Sequence, residues 1–556
     1  MPTVPAGQAV VEVLRRLGVD TIFGVPGGQT LFIMDALYDA PDIRFVTTRH
    51  ELAAACAADG YGRFTGRPGV ALVTTGPGAT NMLTGVGGAY RDSSPCVLLT
   101  VNNRTPHIGE DDTQAADHVA IFAPLTKWAT LVTDPAAIPG TLEEAFQVAV
   151  DGNPGPVLVD FGREVVEEGE VDEAAVTAVR RQERSVPKPD PQSIRDVANL
   201  LLAARKPLVW AGKGVILAGA GEAMTDLAEA LCAPVVTTFN GIGAVPADHP
   251  LALGALSRSA TRLGQAALAE TDLVLAIGNS LNGATTGHWS LKLPSLVQVD
   301  VDPAQLGRYY PIQSGIAGDA RLAAAALAQR VRDGMGRDAA AQAARREWAD
   351  SWGPRREQWR REAFCVDGAD EAPIKPQTLV RELRNAFPRE TVFCVDAGNP
   401  GIWTHLLDIY EPGTYQKPVG FGNMAYSLGA ALAVKLAAPE RPVAAVIGDG
   451  SLGMSLAEIE TLVREQAPVA IVVMNNRSYG NIKQEQLYKF DKPRYIGVDF
   501  LDVDYAEVAK TLLADGERVS DPADLPDALG RALASEKPYL VDVLIDPEPN
   551  VWFKPF

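Results

Sequence analysis

Short apolar runs alternate with longer Ala- and Leu-rich stretches along the whole chain, and no other feature narrows the possible folds as much. The runs read "DTIFGV", "GVALVTT", "CVLLTV" and "GPVLVDF", then "KPLVWAG", "APVVTTF", "DLVLAIG" and "LVQVDVD", then "TVFCVDAG", "PVAAVIGDG", "VAIVVMNN" and "YLVDVLID". Strand-like runs separated by helix-length segments predict an α/β fold built on parallel sheets. Two breaks divide the pattern. Arg184–Ser193, "RSVPKPDPQS", has three prolines in ten residues and reads as an extended linker. A second break follows a charged helical stretch at Asp367–Pro376, "DGADEAPIKP". Three α/β domains are expected, at roughly 1–175, 190–335 and 375–545, with no short-period repeat.

Length agrees with that division, because 556 residues exceed what one hydrophobic core supports. With 47% hydrophobic and 21% charged residues and no low-complexity tract, most of the chain should pack. The net charge of −19 argues against nucleic acid or an anionic membrane as partner, since both need a basic surface. A polyanionic ligand would have to be held locally, by backbone dipoles or a metal. Five scattered cysteines without a CxxC pair suggest neither a zinc site nor a redox couple, and a cytoplasmic location is expected. The first residues lack a signal-peptide pattern, and Ala9, Val10, Val13, Leu14 and Leu17 mark an amphipathic helix instead. No apolar run is long enough to span a membrane.

The stretch "VIGDGSLGMSLAEIETLVREQAPVAIVVMNNRSYG", Val446–Gly480, carries the most chemistry. Asp449 and Asn476 lie 27 residues apart, each at the end of a strand-like run, which is the span of one strand–helix–strand unit. Ligands collect beyond the carboxyl ends of parallel strands, so both side chains should emerge at one sheet edge. A carboxylate, an amide oxygen and a backbone carbonyl make a hard oxygen site suited to Mg²⁺ or Ca²⁺, commonly completed by phosphate and water. Gly448 and Gly450 let the backbone approach such a phosphate, and a helix expected to begin near Ser455 points its amide end toward it. Gly-Asp-Gly alone would be a turn; its pairing with Asn-Asn at this spacing makes it a site.

This stretch resembles the cofactor motif of thiamine diphosphate-dependent enzymes, which opens on Gly-Asp-Gly and closes on Asn-Asn. The resemblance implies three doubly wound parallel-sheet domains, pyrimidine-binding, middle and diphosphate-binding, in that order. It further implies that Asp449, the Asn476 side chain and the Ser478 carbonyl hold Mg²⁺ against the cofactor's diphosphate, with Gly450, Ser451 and Gly480 beside them. Gly398 and Asn399, in "DAGNPGIW", match the family's second diphosphate loop. In "FVTTRHELAAACAADGYG" a strand gives way to a helix at Glu51, which by resemblance contacts the aminopyrimidine ring and promotes the imino tautomer that removes the C2 proton. An isolated glutamate there would only favour the helix dipole. The small residues after it permit close helix packing of the kind found at a tight subunit contact. "TTGPGATN" is similar to the pyrimidine-pocket segment and implicates Thr74, Pro77 and Asn81. In "GFGNMAYSLGAA", Gly422 would bond the pyrimidine amino group and Met424 would bend the cofactor, although a lone methionine there reads as core packing. Because the family's site forms between subunits, a homo-oligomer is implied, a dimer or a dimer of dimers.

Within the family the chain looks most like acetohydroxyacid (acetolactate) synthases and benzaldehyde lyase. Gln114, in "DDTQAAD", matches a glutamine that contacts reaction intermediates, and Gln29 stands where synthases carry a small residue and the lyase a histidine. None of the six histidines lies in the early glycine-rich loop or in "TTGPGATN", which favours a carboligase or lyase over a histidine-dependent 2-oxo acid decarboxylase; His288 reads as a surface or structural residue, with a loop position facing the site as the alternative. The expected activity is carboligation or cleavage of small carbonyl substrates, 2-oxo acids or 2-hydroxy ketones. Two departures from the synthases weigh against acetolactate formation and against the non-catalytic FAD of that branch. Glu485 stands where they carry a substrate-selecting tryptophan, and would repel a second 2-oxo acid unless paired; "GNSLNGATTGHW" lacks their arginine. A flavin-dependent 2-oxo acid oxidase, a 2-hydroxyacyl-CoA lyase and an inactive cofactor-binding relic remain alternatives. The short tail "DPEPNVWFKPF" offers little to cover a CoA.

Overall fold

Three six-stranded sheets, all parallel, organise the computed structural model, which describes residues 2–256, 261–334, 336, 338–365, 368–490 and 492–547. The first runs, in spatial order, Arg44–Thr47, Thr21–Val25, Gly69–Thr74, Cys96–Val101, Pro156–Phe161, Trp128–Val132. The third runs Tyr415–Gln416, Val392–Val395, Val443–Gly448, Ala470–Asn475, Tyr539–Leu544, Asp515–Val519. Counted within each sheet, both have the order 2-1-3-4-6-5. The middle sheet runs Ala252–Ala255, Val235–Thr237, Pro207–Ala211, Leu273–Ile277, Ser295–Asp300, Ser314–Ala317. Its order is 3-2-1-4-5-6, that of doubly wound nucleotide-binding sheets.

The twelve apolar runs of the sequence are the four inner strands of each sheet. Inner strands are covered by helices on both faces, so nearly every position must be apolar; Cys96–Val101 is buried throughout. The edges escaped that pattern, except Arg44–Thr47, which the sequence places ahead of Glu51. Asp515–Val519, "DGERV", is an edge whose residues are mostly half-exposed, and polar residues are what an edge tolerates. The helix Ala6–Arg16 buries Ala9, Val10, Val13 and Leu14 as its periodicity predicts. The linker is extended to Asp190, where the helix Pro191–Ala203 starts inside the predicted segment because Asp190 caps it through the Ser193 N–H. Of the second break, Asp367 lies outside the described residues.

The small residues after Glu51 have an occupant different from the expected subunit contact. The helix Glu51–Thr65 packs within the chain on the helix Ser427–Ala437 of the third domain, and the two share one continuous apolar core. A Cβ on Gly60 would come within 2.6 Å of the Ala430 Cα, and one on Gly429 within 2.7 Å of the Ala53 carbonyl. Such backbone approach needs residues without bulk. A buried charge cluster ties all three domains together: Arg63 grips Asp59 and Asp92, while the Asp92 carboxylate accepts from Asn240 Nδ2, Val419 N and Gly420 N. Asp92 thereby anchors the loop that continues into Gly422 and Met424.

Candidate active site

In the third domain, the ends of neighbouring strands deliver the expected cluster. Val443–Gly448 and Ala470–Asn475 pair with Gly448 opposite Met474, so Asp449 and Asn476 leave the sheet side by side. Asp449 is buried, and the backbone N–H groups of Gly450 and Asn476 point at its carboxylate. Burial, with Asp542 adding to it, pushes that carboxyl up to about 7, so in isolation this group is a charge without a counter-ion. Asn476 Oδ1 accepts from Ser478 N at 3.2 Å. A side chain on Gly480 would collide with the amides of both Asn476 and Asn399, which places the second diphosphate loop against the first motif. Asn399 Oδ1, Ser478 Oγ and Asn481 Oδ1 are buried and unpartnered. Buried oxygens without donors, beside a lone carboxylate, suit a hard cation carrying further oxygen ligands.

Two details differ from expectation. The helix does not begin near Ser455: Asp449–Ser455 is itself helical, followed by Glu458–Arg464, so Asp449 occupies the first turn. Gly450 is required by packing as well as by any phosphate, since its missing Cβ leaves room for the Tyr479 ring at 2.6 Å and for Phe500. Sequence reasoning also missed Asp396. This fully buried carboxylate follows strand Val392–Val395 and accepts from Tyr426 N and Ser427 N, both at 2.7 Å, and from Ser451 Oγ. Ser451 Oγ in turn accepts from Ala425 N at 2.8 Å, so its hydroxyl clamps the Met424 loop. Burial raises Asp396 to about 6. Its place directly before the Ala-Gly-Asn loop was the available signal.

In the first domain, Glu51 opens its helix half-buried and accepts from Asn81 Nδ2 at 2.9 Å. Asn81 and Pro77 lie on the helix Pro77–Arg91, and Gly78 leaves space for Glu51 Oε1. Thr74 Oγ1 donates to Gln29 Oε1 at 2.7 Å, and Gln29 Nε2 lies 3.5 Å from Gln114 Oε1. Thr74, Gln29 and Gln114 thus converge, with Gln114 held at a positive φ of 61°. Gly422, exposed at φ 71°, and the half-buried Met424 stand on the loop anchored by Asp92 and Asp396. The hydrogen-bond partner of the Glu51 side chain is Asn81. His288 is exposed. Glu485 is ion-paired to Lys489 at 3.1 Å, which meets the condition under which its repulsion of a 2-oxo acid is relieved.

Between the first and middle domains lies a cavity of about 430 Å³, lined among others by Lys213, Asn240, Asn279, Asp300 and Arg308. Asp300 ends its strand with a carboxyl that burial raises to about 6.

Two clusters stand on sheets of one topology, one around the buried Asp449 and one around the helix-initial Glu51. Residues 5–121 match the N-terminal TPP binding domain of thiamine pyrophosphate enzymes, 194–327 their central domain and 396–543 their C-terminal TPP binding domain. The chain belongs to the thiamine pyrophosphate enzyme family. It is 34% identical to a probable acetolactate synthase large subunit of Methanocaldococcus jannaschii, over 97% of this chain and 92% of that one. It is 32% identical to the acetolactate synthase isozyme 2 large subunit of Escherichia coli, over 98% and 96%. The acetolactate synthase large subunit of Corynebacterium glutamicum is also 32% identical, over 98% of this chain and 87% of its own.

Proposed function

We propose that this chain is a thiamine diphosphate- and Mg²⁺-dependent carboligase or lyase, acetolactate synthase-like, acting on 2-oxo acids or 2-hydroxy ketones. The observation that carries the reading is the meeting of Asn476 and Asn399 over Gly480, with Asp449 leaving the neighbouring strand end, beside unpartnered buried oxygens. Asp449, the Asn476 side chain and the Ser478 carbonyl would hold Mg²⁺. Gly398, Asn399, Gly480 and the backbone of Gly450 and Ser451 would take the diphosphate. Thr74, Pro77, Asn81, Gly422 and Met424 would seat the pyrimidine. When bound, the cofactor's thiazolium supplies the nucleophilic carbon and the electron sink.

The remaining chemistry belongs to the chain. Asn81 aims the Glu51 carboxylate, which would give up or take a proton on the pyrimidine side of the site and so serve as acid and base. Gln114, with Gln29 behind it, offers amide groups to the substrate oxygen. Met424 would wedge the cofactor into its bent shape. As the family resemblance implies, the complete site would take Glu51 from one protomer and Asp449 from another, in a homo-oligomer acting in the cytoplasm. The described residues contain no helix long and apolar enough to cross a membrane. The functional division follows the linkers, at 1–175, 190–335 and 375–545.

A second reading has one observation in its favour. The cavity beside the middle sheet has the strand order and the strand-end carboxylate, Asp300, that suit the ribose of a nucleotide, so an FAD or a CoA-type ADP group would fit there. The tail considered as cover for a CoA lies, from residue 548 on, outside the described residues.

The test is incubation of the purified protein with thiamine diphosphate, Mg²⁺ and a panel of 2-oxo acids and aldehydes, products being identified by mass. Ligated or cleaved products that vanish in Glu51→Gln, whose C2 proton exchange should fall about 10²–10⁴-fold, bear out the proposal. Undiminished exchange in that variant defeats it. A yellow protein that reduces oxygen with pyruvate would select the flavin reading.

A further inference from the structure

We infer that His118 and Asp160 are positioning residues for the pyrimidine-side half-site, acting through the Gly76 N–H; the catalytic part of this inference rests on the reading of that half-site given above. Although no histidine lies within "TTGPGATN", the fold sets one directly beneath it. His118 opens the helix His118–Phe122 and is fully buried, so it can reach neither substrate nor cofactor. Its Nε2 accepts from Gly76 N at 3.0 Å, and its Nδ1 lies 3.1 Å from Asp160 Oδ1. An acceptor role at Nε2 places the ring proton on Nδ1, where it is donated to the carboxylate.

Asp160 is as buried as the histidine and takes two further donors, Thr100 Oγ1 at 2.6 Å and Asn102 Nδ2 at 2.7 Å. Asn102 Oδ1 accepts from Thr75 Oγ1 at 3.2 Å. Every member of this network is satisfied, and its connections out of the core lead to the Thr75–Gly76 turn and to the segment that carries Gln114. Gly76 sits at φ 58°, ψ −110°, and a Cβ there would meet the Gln114 carbonyl at 2.5 Å. The turn therefore has a conformation that an L-residue avoids, with an inward N–H that needs a buried acceptor. From it start the helix that carries Asn81, the partner of Glu51, and the contact to Gln114. A neutral imidazole locked by a carboxylate is a rigid acceptor for this purpose.

Two variants separate the ends of the ring. His118→Asn retains a donor at the Nδ1 position for Asp160 and loses the acceptor for Gly76; His118→Gln retains an acceptor at the Nε2 position and loses the donor. In the holoenzyme with thiamine diphosphate and Mg²⁺, His118→Asn should lower C2 exchange and kcat about tenfold or more with KM little changed. It should also speed deuterium exchange at the Gly76 amide while the melting temperature stays near wild type. His118→Gln should show the converse, a lowered melting temperature with kcat near wild type. Activity that merely tracks stability in both variants, or unchanged Gly76 protection in His118→Asn, overturns the inference. Should His118→Asn fail to fold, His118→Ala with added imidazole reads the same contact: recovery of Gly76 protection supports the proposal and its absence overturns it. A wild-type protein without C2 exchange would refute the catalytic reading, and the Gly76 measurement would still decide the contact.

Discussion

The first and third domains share one strand order, and both place the residues proposed for the site at the ends of the same four strands. After strand one come Gln29 in the first domain and Asn399 in the third; after strand two, Glu51 and the Gly422–Met424 loop. After strand three come Thr74–Pro77 and Asp449; after strand four, Gln114 and Asn476. The chemistry on these matched scaffolds differs in charge. The third domain buries Asp449, Asp396 and His405, each with its pKa displaced by burial, to about 7, 6 and 4. The first keeps Glu51 half-buried on an amide partner and supports it with a closed neutral-and-ionic network. On the proposed function, one sheet topology would serve as an anchor for a polyanion in the third domain and as a mount for a proton-transfer group in the first, depending on what its loops desolvate.

The comparison is most directly broken at its anchors. Asp449→Asn should weaken thiamine diphosphate and Mg²⁺ binding by about 100-fold or more, the equivalent of the roughly 3 kcal/mol lost when one partner of a buried charge pair is removed. Titration calorimetry measures it, with Asn81→Ala as the counterpart in the first domain. If Asn81→Ala weakens binding equally, anchoring is not confined to the third domain.

Acid stability sharpens the contrast next. Burial holds the His405 ring down to about 4, below its ordinary 6.5, so the unfolded chain binds the extra proton first. Stability contributed by this neutral histidine is complete above about pH 6.5 and is lost as pH falls toward 4. The full loss is roughly 3 kcal/mol, at 1.36 kcal/mol per pKa unit. His405→Gln should flatten the pH dependence of the melting temperature across that window, and an unchanged slope would move the acid limb to another group.

Smaller effects test the seam and the pocket. Gly60→Ala forces a methyl against Ala430 between the two domains and should cost about 1–3 kcal/mol by denaturant titration, despite the better helix propensity of alanine. A neutral or stabilising result would show that the seam relaxes. Glu485→Gln removes a surface ion pair with Lys489 and should change stability by only about 0.5 kcal/mol or less. A larger gain in 2-oxo acid use than in stability would give that carboxylate a role in selecting substrate.

The contrast between inner and edge strands explains how far the fold was legible. A central parallel strand must be apolar on both faces, so "CVLLTV" or "VAIVVM" declares itself, whereas "DGERV" at an edge meets no such demand. Likewise Asp449 and Asn476 could be singled out because glycine spacing and strand ends are local features, whereas Glu51 was legible only through the family resemblance. His118 could not, and Asp396 offered only its place before the Ala-Gly-Asn loop, because their meaning lies in partners distant along the chain: Gly76 and Asp160 for one, Ser451 for the other.

By itself, then, the sequence determined three parallel α/β sheets and the two strand-end motifs, since burial on both faces and tight turns at glycine act within a few neighbouring residues. Only the tertiary structure decided that the outer sheets share one strand order and that the "AAACAA" helix packs against its own chain. It alone placed a buried histidine beneath the pyrimidine-side turn. Those outcomes depend on which surfaces meet after the chain has crossed itself, and on which polar groups then lose water and must find a partner.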